Sequence, residues 1–145
     1  FLHGYPVYFA SVLKTIAFNY DPFHLSIVQD GQIWNLDSLM MVLCNGKREG
    51  GGFHIAPDSS PSDGIISYLG LQRITRLQML NTLMHFMRGT QFSLPHIKTG
   101  SFKQISIESD RPLVIHLDGE IIAGLNSQIR SFKASIVPSA LQAIL

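Results

Sequence analysis

The stretch Ile27-Val28-Gln29-Asp30-Gly31-Gln32-Ile33-Trp34 decides the fold class. Asp30 and Gly31 both tolerate the positive φ of a type I′ turn, and short apolar segments flank them, so the stretch predicts a two-residue β-hairpin. Just upstream, Phe23, Leu25 and Ile27 alternate with His24, Ser26 and Val28, the pattern of a half-buried strand. Just downstream, Leu39 to Cys44 is a continuous apolar run, suited to a strand buried on both faces. Asp118-Gly119 repeats the hairpin signal later in the chain. Further strands are expected at Ile65 to Leu71, Phe102 to Glu108, Leu113 to Leu117, Glu120 to Leu125 and Ile129 to Val137.

Two segments read as helices instead. Pro6 to Asn19 carries Val7, Phe9, Val12, Leu13 and Ile16 near the helical period, and Arg73 to Arg88 places Ile74, Leu77, Leu80, Met84 and Met87 on one face. Gly89 is the expected C′ residue of the second helix. Pro138 opens a short terminal helix. Many hairpin-linked strands with few helices predict a mainly β fold, an antiparallel β-sandwich with helices at its edges. No repeat or internal boundary interrupts residues 1–145, which read as one domain.

The chain of 145 residues is long enough to bury a core. It is 46% hydrophobic and 14% charged, with mean hydropathy +0.19. That balance sets some apolar surface against a partner, another domain or lipid. The formal net charge of +1 gives no electrostatic case for nucleic acid. A single cysteine, Cys44, excludes an internal disulfide and suits a reducing compartment. No apolar run approaches the roughly 18 residues of a membrane span. Phe1 to Phe18 lacks a basic n-region and a small-residue cleavage site, so a domain of a longer protein is expected here rather than a secreted one.

Several residues bear on chemistry. On spacing alone, Asp118-Gly119 is first of all a good turn and Glu120 an exposed strand start. The other reading is that a loop tip presents two carboxylates. Phosphoryl transfer to an alcohol needs a base for the hydroxyl proton and metal ions on the phosphates, so two acidic groups would divide those roles. Gly50-Gly51-Gly52 is either a flexible loop or a place where backbone approaches another surface closely. It is not a P-loop, because no Gly-Lys-Ser/Thr ending follows. The six histidines form no metal-ligand spacing, and no Gly-x-Ser-x-Gly elbow is present. Cys44, inside an apolar run, reads as a core thiol. The helix Arg73 to Arg88 reads as core packing with a solvated edge. Its Leu and Met stripe beside Arg73, Arg76 and Arg88 also suits an anionic membrane surface.

Two stretches together resemble a known family. Asn45-Gly46-Lys47-Arg48-Glu49-Gly50-Gly51-Gly52-Phe53-His54-Ile55-Ala56-Pro57, with Ser62-Asp63-Gly64 after it, is followed some fifty residues on by Leu117-Asp118-Gly119-Glu120. In this order the motifs resemble the C-terminal domain of the diacylglycerol kinase and sphingosine kinase family of lipid kinases, in its bacterial diacylglycerol kinase form. The likeness runs from Asn45 to Val137-Pro138-Ser139-Ala140-Leu141. The family's nucleotide-binding half, with its Gly-Gly-Asp-Gly-Thr signature, has no counterpart here.

The resemblance implies transfer of the ATP γ-phosphoryl group to the hydroxyl of diacylglycerol or a similar lipid. It makes Glu120 the proton acceptor and Asp118 an organiser of magnesium and water. It implies a Mg²⁺ site at Asp63 with the backbone carbonyls of Ser60 and Ile65, chemically reasonable because Mg²⁺ prefers hard oxygen ligands. Ser62 stands where the family has a second aspartate, and Gln91 where it often has a histidine. Asn45 and Gly50 to Gly52 are implied to line the cleft toward the nucleotide, which is bound mainly by the other half. The implied partners are that N-terminal nucleotide-binding domain and a lipid at a membrane surface, in a cytoplasmic, peripheral enzyme; exposed strand edges also admit a homodimer. The isolated chain is expected to be inactive. The competing reading is a β-sandwich binding domain that keeps the fold without the activity.

Overall fold

The computed structural model describes residues 5–18, 20–48, 54–138 and 140. Helix α1 (Tyr5–Phe18) leads into the hairpin of β1 (Phe23–Gln29) and β2 (Gln32–Cys44). After a long loop come β3 (Ile66–Gln72), α2 (Arg76–Arg88), a 3-10 turn (Gln91–Ser93), β4 (Ile97–Phe102) and β5 (Gln104–Ser109). The short hairpin of β6 (Ile115–Leu117) and β7 (Glu120–Ala123) precedes β8 (Ser131–Ser135). Six strands form one sheet in the order β4-β3-β2-β1-β5-β8, every neighbouring pair antiparallel; β6 and β7 pair separately.

That order cannot lie flat. β4 and β5 are four positions apart, about 19 Å at the usual strand spacing, yet only Lys103 separates them in sequence. Two Cα steps cover at most about 7.6 Å. The alternating antiparallel pairings also make β4 and β5 run the same way. They are one long strand that leaves β3 and joins β1 at a bend on Lys103. The sheet therefore folds back on itself into two layers, with a strand switching layers at a corner.

β2 turns the other corner. Its first half, Gln32 to Ser38, pairs with β1, and its second half, Ser38 to Cys44, pairs with β3. The register shifts between Ser38 and Met40, so Leu39 is an extra residue, a β-bulge. One extra residue reverses the alternation of side chains. Leu36 faces the space between the layers; beyond the bulge Met41 and Leu43 do so, while Met40, Val42 and Cys44 face the helices. This is why Leu39 to Cys44 is continuously apolar. The buried Ser38 hydroxyl serves the backbone groups that the bulge frees. It accepts from the Met40 N–H (3.2 Å) and lies within donating distance of the Met40 and Leu71 carbonyls (2.8 and 3.1 Å).

Two cores result. The inner one holds Leu25, Ile27, Leu36, Phe102, Ile105, Ile107 and Leu113. The layers meet closely there: a Cβ on Gly70 would sit 2.6 Å from Leu36 Cδ2, so any larger residue would force the buried Leu36 side chain to move. Trp34 stacks on Tyr68 with ring centroids 5.5 Å apart, and burial pushes the Tyr68 hydroxyl pKa above its ordinary value. The outer core packs Ile16 of α1 and Leu83 and Phe86 of α2 against Cys44 and Leu69, with Ile55 and Ala56 of the long loop.

The mainly antiparallel, sandwich-like architecture matches the sequence expectation, and both Asp-Gly turns have positive φ at both residues. Three local readings differ. α2 starts at Arg76, because Thr75 caps it in a capping box with Gln78. β4 was not expected: the predicted strand from Phe102 to Glu108 begins on its last residue and otherwise covers β5. The face of α2 that packs is Thr82, Leu83 and Phe86 with Met79 and Met87; Leu77 is 79% exposed, and Leu80 and Met84 are also exposed. The side chains of Val7, Phe9 and Val12 lie outside the described residues, as does most of the terminal helix expected from Pro138. Replacing Ser38→Ala removes the only hydroxyl at the bulge. It should lower the unfolding free energy by about 1–3 kcal/mol, measured by urea denaturation.

Candidate functional site

The β6–β7 hairpin carries the candidate catalytic pair. Asp118 (φ 48°) and Gly119 (φ 90°) form its turn, and Leu117 pairs with Glu120 to close it. A two-stranded hairpin is marginal alone. This one is held at its base by Leu113, Ile115 and Ala123, which pack into the inner core or are buried beside it. Its tip projects: Asp118 and Glu120 are exposed. Around them Leu117, Ile121 and Ile122 are 63%, 76% and 57% exposed, and Val114 and Leu125 are exposed too. Two carboxylates therefore stand at the tip of an apolar, uncovered projection. Desolvated by a partner, such carboxylates can take a proton from an alcohol or hold a hydrated cation.

The implied metal residues lie in the loop that enters β3. Asp63 Oδ1 accepts the Ile65 N–H (3.1 Å) in a two-residue side-chain turn, and Gly64 has φ 72°. Oδ2 has no hydrogen bond among the described residues. Ser62 donates its backbone N–H to Ser60 Oγ (3.4 Å), and the two hydroxyls lie 3.0 Å apart. The structure thus places Ser60, Asp63 and Ile65 in one compact loop. Its donor set is one carboxylate plus carbonyls and hydroxyls, which suits a Mg²⁺ that keeps most of its waters. No group of three or more His, Cys, Asp or Glu side chains with metal-binding geometry occurs among the described residues.

No hydrogen bond or ion pair among the described residues joins this loop to the hairpin. The loop runs from Ile55 and Ala56, buried in the outer core, to Ile66, which packs on the inner core as Ile115 of the hairpin does. Asn45 is exposed just past β2, where the Lys47 carbonyl accepts the Ala56 N–H (3.3 Å). Gly50, Gly51 and Gly52 lie outside the described residues.

Sequence reasoning missed what fixes the loop. Gln91 is fully buried, and its Nε2 donates to the carbonyls of His54 and Ile55, the latter at 3.1 Å. Gly89, in the left-handed region (φ 70°), ends α2 and brings the chain against His54, whose side chain would stand 3.2 Å from an added Cβ. The His54 N–H bonds the Phe86 carbonyl (3.4 Å). The visible signal was Gln91 itself, a polar residue just past the Gly89 that ends α2.

His96 ties the other side of α2. Thr82 Oγ1 donates to the Gln78 carbonyl (2.8 Å), so it accepts from His96 Nε2, also at 2.8 Å. Burial, and secondarily the nearby His85, pull the His96 pKa below its ordinary value near 6.5.

The family assignment follows from a match over the whole chain. Residues 1–145 match the family model described as the YegS C-terminal NAD kinase beta sandwich-like domain. The chain belongs to that family. It is 28% identical over 109 residues to the "Probable lipid kinase YegS" of Escherichia coli O1:K1 / APEC, covering 75% of this chain and 33% of that protein. The protein of the same name from Escherichia coli O9:H4 (strain HS) matches to the same extent. The chain spans about a third of the length of these curated relatives. Among solved structures, a "putative diacylglycerol kinase" from Bacillus anthracis str. Sterne superposes with TM-score 0.66 at 19% identity, over 90% of this chain and 43% of that one. Another diacylglycerol kinase structure from the same organism gives TM-score 0.53 at 14% identity, over 86% and 41%. These structural likenesses establish the fold.

Two outcomes test the loop anchorage. Gln91→Ala leaves the His54 and Ile55 carbonyls unbonded by the side chain, and amide exchange at Ala56 should accelerate at least about fivefold, as expected for a loss of roughly 1–3 kcal/mol. His96 binds protons less readily folded than unfolded, so its contribution is present above pH 6.5 and is lost as pH falls through the lowered folded pKa. Urea midpoints measured from pH 7.5 to 5 should fall with acidification, and less steeply in His96→Asn.

Proposed function

We propose that this chain is the β-sandwich half of an ATP-dependent lipid kinase that phosphorylates the hydroxyl of diacylglycerol or a similar lipid. The observation that carries the reading is the β6–β7 tip. Asp118 and Glu120 stand there among exposed Leu117, Ile121 and Ile122, an arrangement that makes physical sense only against a covering partner. The chain spans 33% of a relative named "Probable lipid kinase YegS", which supports a reading in which the covering partner is a nucleotide-binding domain in the rest of the polypeptide.

In this reading Glu120 accepts the proton of the lipid hydroxyl as its oxygen bonds to the γ-phosphorus. The bond from that phosphorus to the β–γ bridging oxygen breaks, and ADP leaves. Asp118, at the turn, would hold a Mg²⁺ with its waters beside the phosphates. Asp63, with the Ser60 and Ile65 carbonyls, would hold a second, structural Mg²⁺. When bound, magnesium neutralises charge on the phosphates and orients them. Asn45 and the glycines at 50–52 would line the interdomain cleft.

The second reading, a binding domain without activity, draws on Ser62, whose hydroxyl replaces an acid beside Asp63. One experiment separates them. The complete protein, given labelled ATP, Mg²⁺ and diacylglycerol in mixed micelles, should form phosphatidic acid. Glu120→Gln should lower the rate about 10²–10⁴-fold while the protein still folds. The 145-residue chain alone should be inactive. An inactive complete protein on diacylglycerol and sphingoid bases alike favours the binding domain.

A further inference from the structure

The outward face of α2 is apolar where a solvated edge would be polar. Leu77, Leu80 and Met84 are exposed by 79%, 40% and 41%. At about 100° per residue they fall within a sector of roughly 60°, on the side away from Thr82, Leu83 and Phe86. Arg76 and Arg88 border that sector, one turn from Leu80 and Met84 respectively, and both are exposed. Arg76 is fixed in place: its Nε donates to the Ile16 carbonyl (3.2 Å), and its guanidinium lies 5.0 Å from the centre of the Tyr20 ring.

The charges that the segment carrying this face contributes are all of one sign. From Gly64 to Ile107 the sequence has no Asp or Glu, yet it carries Arg73, Arg76, Arg88, Lys98 and Lys103. With a net charge of only +1 overall, the remainder of the chain is net negative. β3, α2 and β4 therefore contribute no acid of their own beside the apolar stripe of α2; Asp37, whose carbonyl accepts the Arg73 N–H (2.9 Å), and Asp30, whose carboxylate accepts the Lys103 N–H (3.1 Å), stand at the border of this side.

We propose that the outer face of α2 docks the protein on an anionic lipid bilayer, Leu77, Leu80 and Met84 entering the interface and Arg73, Arg76 and Arg88 contacting headgroups. Charge complementarity selects this occupant. A second copy of the same face would bring arginines against arginines. The carboxylate-bearing hairpin is the uncovered surface suited to the rest of the polypeptide, and it would be repelled by an anionic membrane. The choice of a bilayer rests on the lipid-kinase reading, in which the substrate resides there. An amphipathic helix with cationic flanks gains from apolar insertion and from charge together.

The test uses the complete protein and sedimentation with two kinds of vesicle, phosphatidylcholine alone and phosphatidylcholine mixed with phosphatidylglycerol. Binding is expected to the anionic vesicles and to weaken with salt. Leu77→Gln/Met84→Gln should reduce partitioning at least about tenfold, and Arg88→Gln about fivefold. Leu117→Gln on the hairpin should leave it unchanged. Because all four side chains are exposed, retained thermal melting confirms that each variant folds. Wild-type partitioning by the double variant would overturn the proposal. So would a fall from dimer to monomer in that variant with vesicle binding intact. Activity is read separately on a water-soluble short-chain diacylglycerol. Vesicle binding through α2 without phosphorylation leaves docking standing and removes the kinase reading. Phosphorylation with unchanged binding in the double variant does the reverse.

Discussion

Everything in this fold depends on one carboxylate at a bend. When β4 becomes β5, the chain leaves one strand partner for another, and the N–H groups of Lys103 and Gln104 must bond something. Asp30 provides it. Its Oδ1 accepts from both (3.1 and 2.8 Å), while its own N–H bonds the Gln104 carbonyl (3.0 Å). The residue that makes the β1–β2 turn thus also secures the corner where the sheet folds over. Nearby, Gln29 Nε2 donates to the Ser101 carbonyl (2.9 Å) and Gln29 Oε1 accepts from Trp34 Nε1 (3.1 Å), so a second polar bridge spans the same layers. With the Ser38 bulge at the other corner, these groups set which side chains face inward.

The sequence displayed some of this and hid the rest for identifiable reasons. Asp30-Gly31 and Asp118-Gly119 were legible because a local conformational demand selects those residues. The apolar run of Leu39 to Cys44 announced a doubly buried strand. It gave no sign of the reversed alternation, since a bulge among uniformly apolar residues leaves the pattern unbroken. β4 escaped notice because an edge strand needs little apolar content: Lys98 to Ser101 is exposed throughout. For α2 the period was right and the face was wrong, because the helix is apolar on two sides and periodicity does not say which side meets the sheet. At the candidate site the turn that carries Asp118 was legible in Asp118-Gly119, and the burial of Gln91 against the loop was not, being a tertiary fact.

The two uncovered apolar surfaces differ in chemistry. The hairpin surrounds acids with Leu and Ile; α2 surrounds Leu and Met with arginine. That division gives a single small domain two outward sides with opposite electrostatic preference, set on different elements.

The Asp30 contact also has a consequence in time. The turn it occupies is local, whereas Lys103 lies 73 residues away in sequence. Closing so long a loop carries an entropic cost that local pairing does not. The hairpin is therefore the natural early element of assembly, and the bend the late one, with the carboxylate already oriented by its turn when the distant strand arrives. Until then the inner faces of both layers are open, and the span between hairpin and bend includes β3, the strand whose two faces supply both cores.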